Sequence, residues 1–338
     1  AECRAEQYAK RCNAYCAEPS IVGIYDMNHA MNLTENLREL ITSRVPPSDI
    51  HLVSNKPITL RRNGELIRLS DKICQTPEIE AVLEQLFDIQ LGSRRCTEVS
   101  AQLTERLCRI SAITCVDGLS VAIRIMNQSI TEAESIGVPR ELIDRMITPG
   151  LTLITGATNQ GKTTTLASLI RLLARDARKI ILLEDPQESV FDAQQSVIIQ
   201  REVHVHTESF ASGLREALRQ DPDVIAVGEL RDREAIAMAL TAAETGHIVL
   251  ATLHARDALS ALTRMVESFS GNQQDYVRTQ LAGSLRSVLA QRLIQRNNAL
   301  QAQFQMVPNN DAVANLIREN KIFQIFNVLP ASVRQFSA

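Results

Sequence analysis

Residues 156 to 163 read GATNQGKT, the full G-x-x-x-x-G-K-[ST] spacing, with the strand-like run LTLIT before it and the helix-compatible TTLASLIRLLA after it. Glycines at both ends let successive backbone N–H groups turn inward around phosphate oxygens, and the following helix N-terminus adds a favourable dipole. Gly156, Ala157, Thr158, Asn159, Gln160, Gly161, Lys162, Thr163 and Thr164 are therefore the candidate nucleotide-binding residues. In this pattern Lys162 reaches the β- and γ-phosphates and the Thr163 hydroxyl ligates Mg²⁺. A chance glycine-rich turn would lack the framing strand and helix. The expected ligand is a nucleoside triphosphate.

Hydrolysis requires a carboxylate at the end of a neighbouring strand. In DPDVIAVGELRD the apolar run Val224 to Val227 leads into Gly228 and Glu229. Many phosphate-loop ATPases carry Asp-Glu there; here only Glu229 remains, read as the water-activating or metal-shell carboxylate rather than a plain strand-end acid. An earlier apolar run ends in Glu184-Asp185-Pro186, with Glu188 close behind. Ligands of open α/β sheets sit at the carboxyl ends of the strands. Glu184 is thus a candidate for polarising the attacking water or holding Mg²⁺, and Asp185 competes as a helix cap. His254 stands just past the end of HIVLATLH and can sense a γ-phosphate, with a structural histidine as the alternative. His247, at the start of the same run, lies roughly 23 Å away along extended chain and cannot share an ion with it. His204 and His206 in REVHVHTESF alternate as on one strand face and are expected to be a solvated surface pair.

Positioning these groups takes more than one domain: 338 residues exceed a comfortable single core. Hydrophobic residues make up 45%, but no run approaches the roughly 18 apolar residues of a membrane span. A net charge of −3 gives no broad basic field for a nucleic-acid backbone, so no nucleic-acid partner is expected. The 7 cysteines, Cys3, Cys12, Cys16, Cys74, Cys96, Cys108 and Cys115, are odd in number and contain no C-x-x-C pair, which fits reduced thiols better than a disulfide framework. Cys12 and Cys16 are spaced to share a helix face but have no second pair with which to build a metal site. The opening residues lack a signal peptide's apolar core, and a chain starting at Ala can lack its true start.

The chain divides by pattern. Residues 1–30 form an N-terminal extension. From 31 to 127, strand-like IHLVS, ITLRRNGELIRL and LSVAIRI mix with helical LRELITSRV and IEAVLEQLFDIQL, as in a small α+β domain. Asn63-Gly64 is a hairpin signal, because both residues accept positive φ. Residues 128–150 read as a linker with one short helix. From 151 to 338, LTLIT, KIILLE, SVIIQ, DVIAVGE and HIVLAT alternate with helical segments, the signature of a parallel sheet covered on both faces. The stretch DYVRTQLAGSLRSVLAQRLI, beyond about 275, carries apolar residues at helix spacing and predicts a helical C-terminal region.

The order GATNQGKT, LLEDPQE, QREVHVHTESF, LREALRQDPDVIAVGELRD, TAAETGHIVLATLH closely resembles the superfamily of type II and type IV secretion and type IV pilus ATPases. In that family these segments correspond to the Walker A, Asp box, Walker B and His box. SDIHL (48 to 52) is similar to a strand of the family's first domain, and DAVANLIREN (311 to 320) to the A-I-R-N-L-I-R-E helix of the PilT-like pilus retraction motors. Assembly-type relatives carry a four-cysteine zinc loop in the second domain, and this chain has no cysteine after 115.

The resemblance implies a fold class: α/β, with a PAS-like N-terminal domain and a RecA-like P-loop NTPase domain. It implies a Mg²⁺-dependent ATPase acting as a homo-hexamer at the cytoplasmic face of an inner membrane, bound to that membrane through a pilus platform protein and the pilus machinery. Arg109 in CRISA and Arg124 in VAIRI match the family's arginines that face a neighbour's phosphates; two strand arginines facing water are the alternative. Asn315, Arg318 and Glu319 match the polar face of the retraction helix, and Val313, Leu316 and Ile317 its packed face. Three departures stand out: Asn159-Gln160 where relatives have Gly-Ser, Gly228 where ATPases at large have Asp, and Ala314 where the retraction helix has its first Arg. The competing readings are a pilus-assembly or secretion ATPase, a DNA-translocating RecA-like motor, and a nucleotide-binding regulator.

Overall fold

Alternation of apolar and polar residues builds the first sheet. The computed structural model describes residues 32–62, 65–91, 96–126, 130–191, 195–296, 299–333 and 336, and its contacts divide the chain into two units, Ala1–Asn127 and Gln128–Ala338. In the first, helix α1 (Leu33–Thr42) precedes β1 (Asp49–Val53), β2 (Lys56–Arg62), β3 (Glu65–Cys74), helix α2 (Thr76–Phe87), β4 (Cys96–Leu103), β5 (Arg106–Cys115) and β6 (Gly118–Ile125). The six strands form one sheet in the order β3-β2-β1-β6-β5-β4, with antiparallel pairs throughout. Ile50, Leu52, Ile110 and Ile123 point to one face, where Leu37 and Ile41 of α1 and Ile79 and Leu83 of α2 cover them. Asn63-Gly64 and the cysteines Cys3, Cys12 and Cys16 lie outside the described residues. The other four cysteines are unbridged, Cys74 and Cys108 in the core and Cys96 and Cys115 exposed.

The second unit opens with helix α3 (Arg140–Met146) and strand β7 (Gly150–Thr155). Helix α4 (Lys162–Leu173), β8 (Lys179–Glu184), β9 (Val197–Glu202), α5 (Phe210–Ala217), β10 (Val224–Val227), α6 (Arg233–Glu244) and β11 (Ile248–Leu253) follow. Ala133, Val138, Leu142 and Met146, from the segment expected to be a linker and its helix, are buried against this unit's core. The sheet runs β13-β12-β7-β11-β10-β8-β9, where β12 is Leu285–Arg296 and β13 is Ala299–Pro308. All neighbours are parallel except the β12–β13 hairpin. The strands are apolar on both sides because both are covered. Val224 and Ala226 of β10 pack on the face that carries α3 and α4, while Ile225 and Val227 pack on the other.

The C-terminal region departs from the helical expectation. Helix α7 (Ala258–Glu267) and helix α8 (Gly271–Ser284) form, but α8 stops at Ser284 and LRSVLAQRLI continues as β12. Its leucines suit either period; sheet position decides, since Leu285 to Ala290 pair with β7 on one side while Ser287 to Arg296 pair with β13 on the other. Helix α9 (Asp311–Arg318) then starts at Asn310, whose side chain accepts the Val313 N–H at 2.9 Å. Among the described residues no helix is long and apolar enough to cross a membrane.

Candidate functional site at the carboxyl edge of the parallel sheet

β7 ends at Thr155 and the chain turns through the phosphate loop into α4. Two residues of this turn have left-handed backbone: Asn159 (φ 60°), a type that tolerates it, and Gly161 (φ 79°) at the helix start. Lys162 follows in the first helical turn and is 7% exposed. Its ammonium donates to the Ala157 carbonyl at 2.8 Å and lies 3.3 Å from His254 Nδ1. Burial holds its pKa below the ordinary value, against the opposing charges of Glu229 and Glu188.

His254 lies just beyond β11, the strand beside β7. An ammonium offers no acceptor, so the hydrogen bond to Nδ1 requires that nitrogen to be bare and the ring hydrogen to sit on Nε2. Nε2 faces Glu229 Oε1 at 3.5 Å, a long contact with room to tighten. Burial first, then the Lys162 charge, depresses the His254 pKa and favours the neutral ring. Glu229 follows β10, the next strand along. A side chain at Gly228 would be tight, because a Cβ would stand 3.1 Å from the Leu183 carbonyl oxygen, which would have to shift slightly. The Gly228 N–H donates to that same carbonyl at 2.7 Å. The Thr252 hydroxyl donates to the Gly228 carbonyl.

Glu184 ends β8, is 6% exposed, and accepts from the Glu188 N–H and the Gln200 amide, each at 3.2 Å. Desolvation outweighs both bonds and pushes its carboxyl up to about 8. Asp185 does not cap a helix. Its carboxylate pairs with Arg231 at 2.5 Å, and Arg231 also binds Glu229 Oε2 at 2.8 Å. His204 and His206 are exposed as expected, but β9 ends at Glu202 and the chain turns there, with His204 at φ 69° and His206 Nδ1 accepting the Glu202 N–H. His247 binds the Ala242 carbonyl at 3.0 Å, before β11 and away from the phosphate loop.

Arg231 and Gln291 were not singled out by sequence reasoning. Arg231 follows the strand-end acid by two residues and looks like an ordinary loop charge. Gln291 sits on β12, so the helical reading removed it from the sheet; its amide touches the phosphate loop, 131 residues away in sequence.

In the first unit Arg109 and Arg124 are direct cross-strand partners. Each is bound to an acid of its own sheet, Arg124 to Asp49 at 2.8 Å and Arg109 to Glu98 at 2.6 Å. Burial pushes the Asp49 carboxyl up, but the Arg124 and Ser48 hydrogen bonds outweigh it and leave the pKa below the ordinary value. On α9, Asn315, Arg318 and Glu319 are exposed, Val313 and Ile317 are buried and Leu316 is half-buried. Arg318 donates to the Asn315 side chain at 2.9 Å. Ala314, 7% exposed, stands on the packed side.

The fold and this edge define a phosphate-loop α/β protein. Residues 33–325 match the family model "Type II/IV secretion system protein", and the chain belongs to that family. It is 42% identical to the Escherichia coli (strain K12) protein YggR over 304 residues, covering 87% of this chain and 92% of that protein. It is 33% identical to the Pseudomonas aeruginosa "Type IV pilus retractation ATPase PilT" over 311 residues, covering 88% of this chain and 89% of the relative. A crystal structure of the pilus retraction motor PilT with bound ADP superposes with a TM-score of 0.81 at 34% identity, covering 88% of this chain and 89% of that one.

The buried Glu184 makes folding stability pH-sensitive in a definite direction. Its pKa is raised from 4.5 to about 8, so its stabilising contribution is full below 4.5 and is lost as pH rises toward 8. Glu184→Gln, which cannot ionise, should gain in melting temperature relative to the unaltered chain as pH rises through that window. Thermal unfolding of both proteins across the window checks this, and parallel curves would remove the raised pKa.

Proposed function

We propose that this chain is an ATP-hydrolysing motor subunit that powers retraction of a type IV pilus. The observation that carries the reading is the line Lys162, His254, Glu229, anchored by Arg231 and drawn from adjacent strand ends beside the phosphate loop, in a member of this family. Residues 156–164 bind ATP, with Lys162 leaving its own loop carbonyl for the phosphates. Glu229 activates water. Glu184, kept neutral by burial, orients that water rather than deprotonating it, and His254 reports the γ-phosphate to Glu229. A hydroxyl at the start of α4 and a half-buried carboxylate suit a Mg²⁺ ion completed by substrate oxygens; Thr163 would hold it with Glu229 in its outer shell, and it would neutralise charge on the phosphates.

The same reading divides the chain into an extension at 1–30, a PAS-like domain at 31–127, a linker at 128–150 and a RecA-like domain at 151–338. It assembles six copies at the cytoplasmic face of an inner membrane, held there by a pilus platform protein. Arg109 and Arg124 release their acids and face a neighbouring subunit's phosphates, where guanidinium groups stabilise a loose phosphoryl transition state.

Three experiments test this. Lys162→Ala should weaken ATP binding, whereas Glu229→Gln should bind ATP and turn over at least about a hundredfold more slowly. Mixed with Arg124→Ala protein, Lys162→Ala protein should regain part of the ATPase through intact interfaces; near-normal turnover by Glu229→Gln would sink the assignment. Arg318→Ala should keep its melting temperature and basal ATPase but lose retraction. Joint loss of all three would make α9 merely structural, and normal retraction would remove its partner role.

A further inference from the structure

The ladder between β7 and β12 ends at the pair Thr155–Ala290, yet β12 continues to Arg296 with β13 still on its other side. Beyond Ala290 the side of β12 once covered by β7 is covered by the phosphate loop. Leu293 N–H, which has passed the end of β7, donates to Gln160 Oε1 at 2.7 Å. Two residues earlier, the Gln291 side chain, 3% exposed, donates from Nε2 to the Gln160 carbonyl at 2.8 Å and accepts the Thr165 hydroxyl at 2.7 Å. Both backbone and side chain of Gln160 are therefore fastened to β12, and the same glutamine amide ties in the first turns of α4. The fit is close. A Cβ on Gly156 would stand 2.5 Å from the Gln291 carbonyl oxygen, and one on Gly161 would stand 2.9 Å from Gln291 Nε2.

We infer that Gln160 and Gln291 are positioning residues that hold the phosphate loop in its binding shape before nucleotide arrives, with β12 as the rigid support. The inference rests on the proposed reading of residues 156–164 as the ATP site and deepens it. Neither side chain needs to touch the ligand. Their effect is to remove in advance the ordering cost of a loop that would otherwise be ordered on binding. Such pre-ordering serves ATP and ADP alike, because both need the loop closed around the inner phosphates. It belongs to uniform binding: it lowers KM and slows ADP release without favouring the transition state.

The direct test is amide hydrogen exchange at Leu293 together with nucleotide kinetics on the full chain. In the unaltered protein Leu293 N–H should exchange as slowly as the paired amides of β12 even without nucleotide. Gln160→Met, equal in length but without the acceptor, should release that amide. It should also raise the KM for ATP and the dissociation constant of ADP by one common factor, about five- to tenfold for a lost buried hydrogen bond. Gln291→Met should do the same, and the double variant should cost less than the product of the two. A role in folding alone would instead lower melting temperature and kcat together with KM unchanged. Fast exchange of Leu293 in the unaltered protein overturns the clamp even if neither variant folds. If the unaltered chain hydrolyses ATP and the variants retain its KM and ADP affinity, this inference fails while the proposed function stands. An unaltered chain that binds no nucleotide overturns both.

Discussion

A buried ammonium organises the candidate site. Lys162 is 7% exposed, and a charge withdrawn from water that far must be met by oxygens, ring nitrogens or carboxylates. The groups that meet it come from separate places in the sequence: the Ala157 carbonyl from its own loop, His254 after β11, Glu229 after β10, and Glu188 beyond β8. β7, β11, β10 and β8 are consecutive neighbours and parallel, so their carboxyl ends fall on one edge. The strand order thus supplies the ligands of the lysine. There the ammonium is held by a loop carbonyl and lies against an imidazole.

The contact between Arg231 and two acids completes the line. Without a cation beside them, Asp185 and Glu229 would repel each other at the strand ends; with it, Glu229 is held from one side while its other oxygen faces His254. A carboxylate fixed in this way keeps its lone pairs directed. Glu184 follows the opposite physical route, since it is buried without a cation and kept neutral by desolvation up to about 8. The two carboxyl groups on this edge thus stand in opposite surroundings, Glu229 held by a guanidinium and Glu184 buried without a cation.

Legibility in the sequence followed distance along the chain. The phosphate loop is contiguous, so eight residues and their framing elements were enough to place it, and Glu229, Glu184 and His254 each announced themselves at the end of an apolar run. The strand around Arg124 is plain in LSVAIRI and that around Arg109 comes from the resemblance, but the acids that bind them are not legible, because Asp49 and Glu98 reach them only through the register of the first sheet. β12 was misread for a similar reason. Its leucines satisfy a helical period, and only a sheet assembled from distant strands shows that residues 285–296 complete it. Gln291 vanished with that error, and Arg231 had no motif to mark it. The histidines at 204 and 206 show how little two alternating residues establish when a turn intervenes.

The proposed motor pulls fibres in rather than pushing them out. Counting surface pili on cells of the source organism from which this chain has been deleted separates the two directions. Retraction predicts more fibres per cell than in the parent, because assembly continues unopposed. Cells without fibres, or with the parent's number, would contradict it.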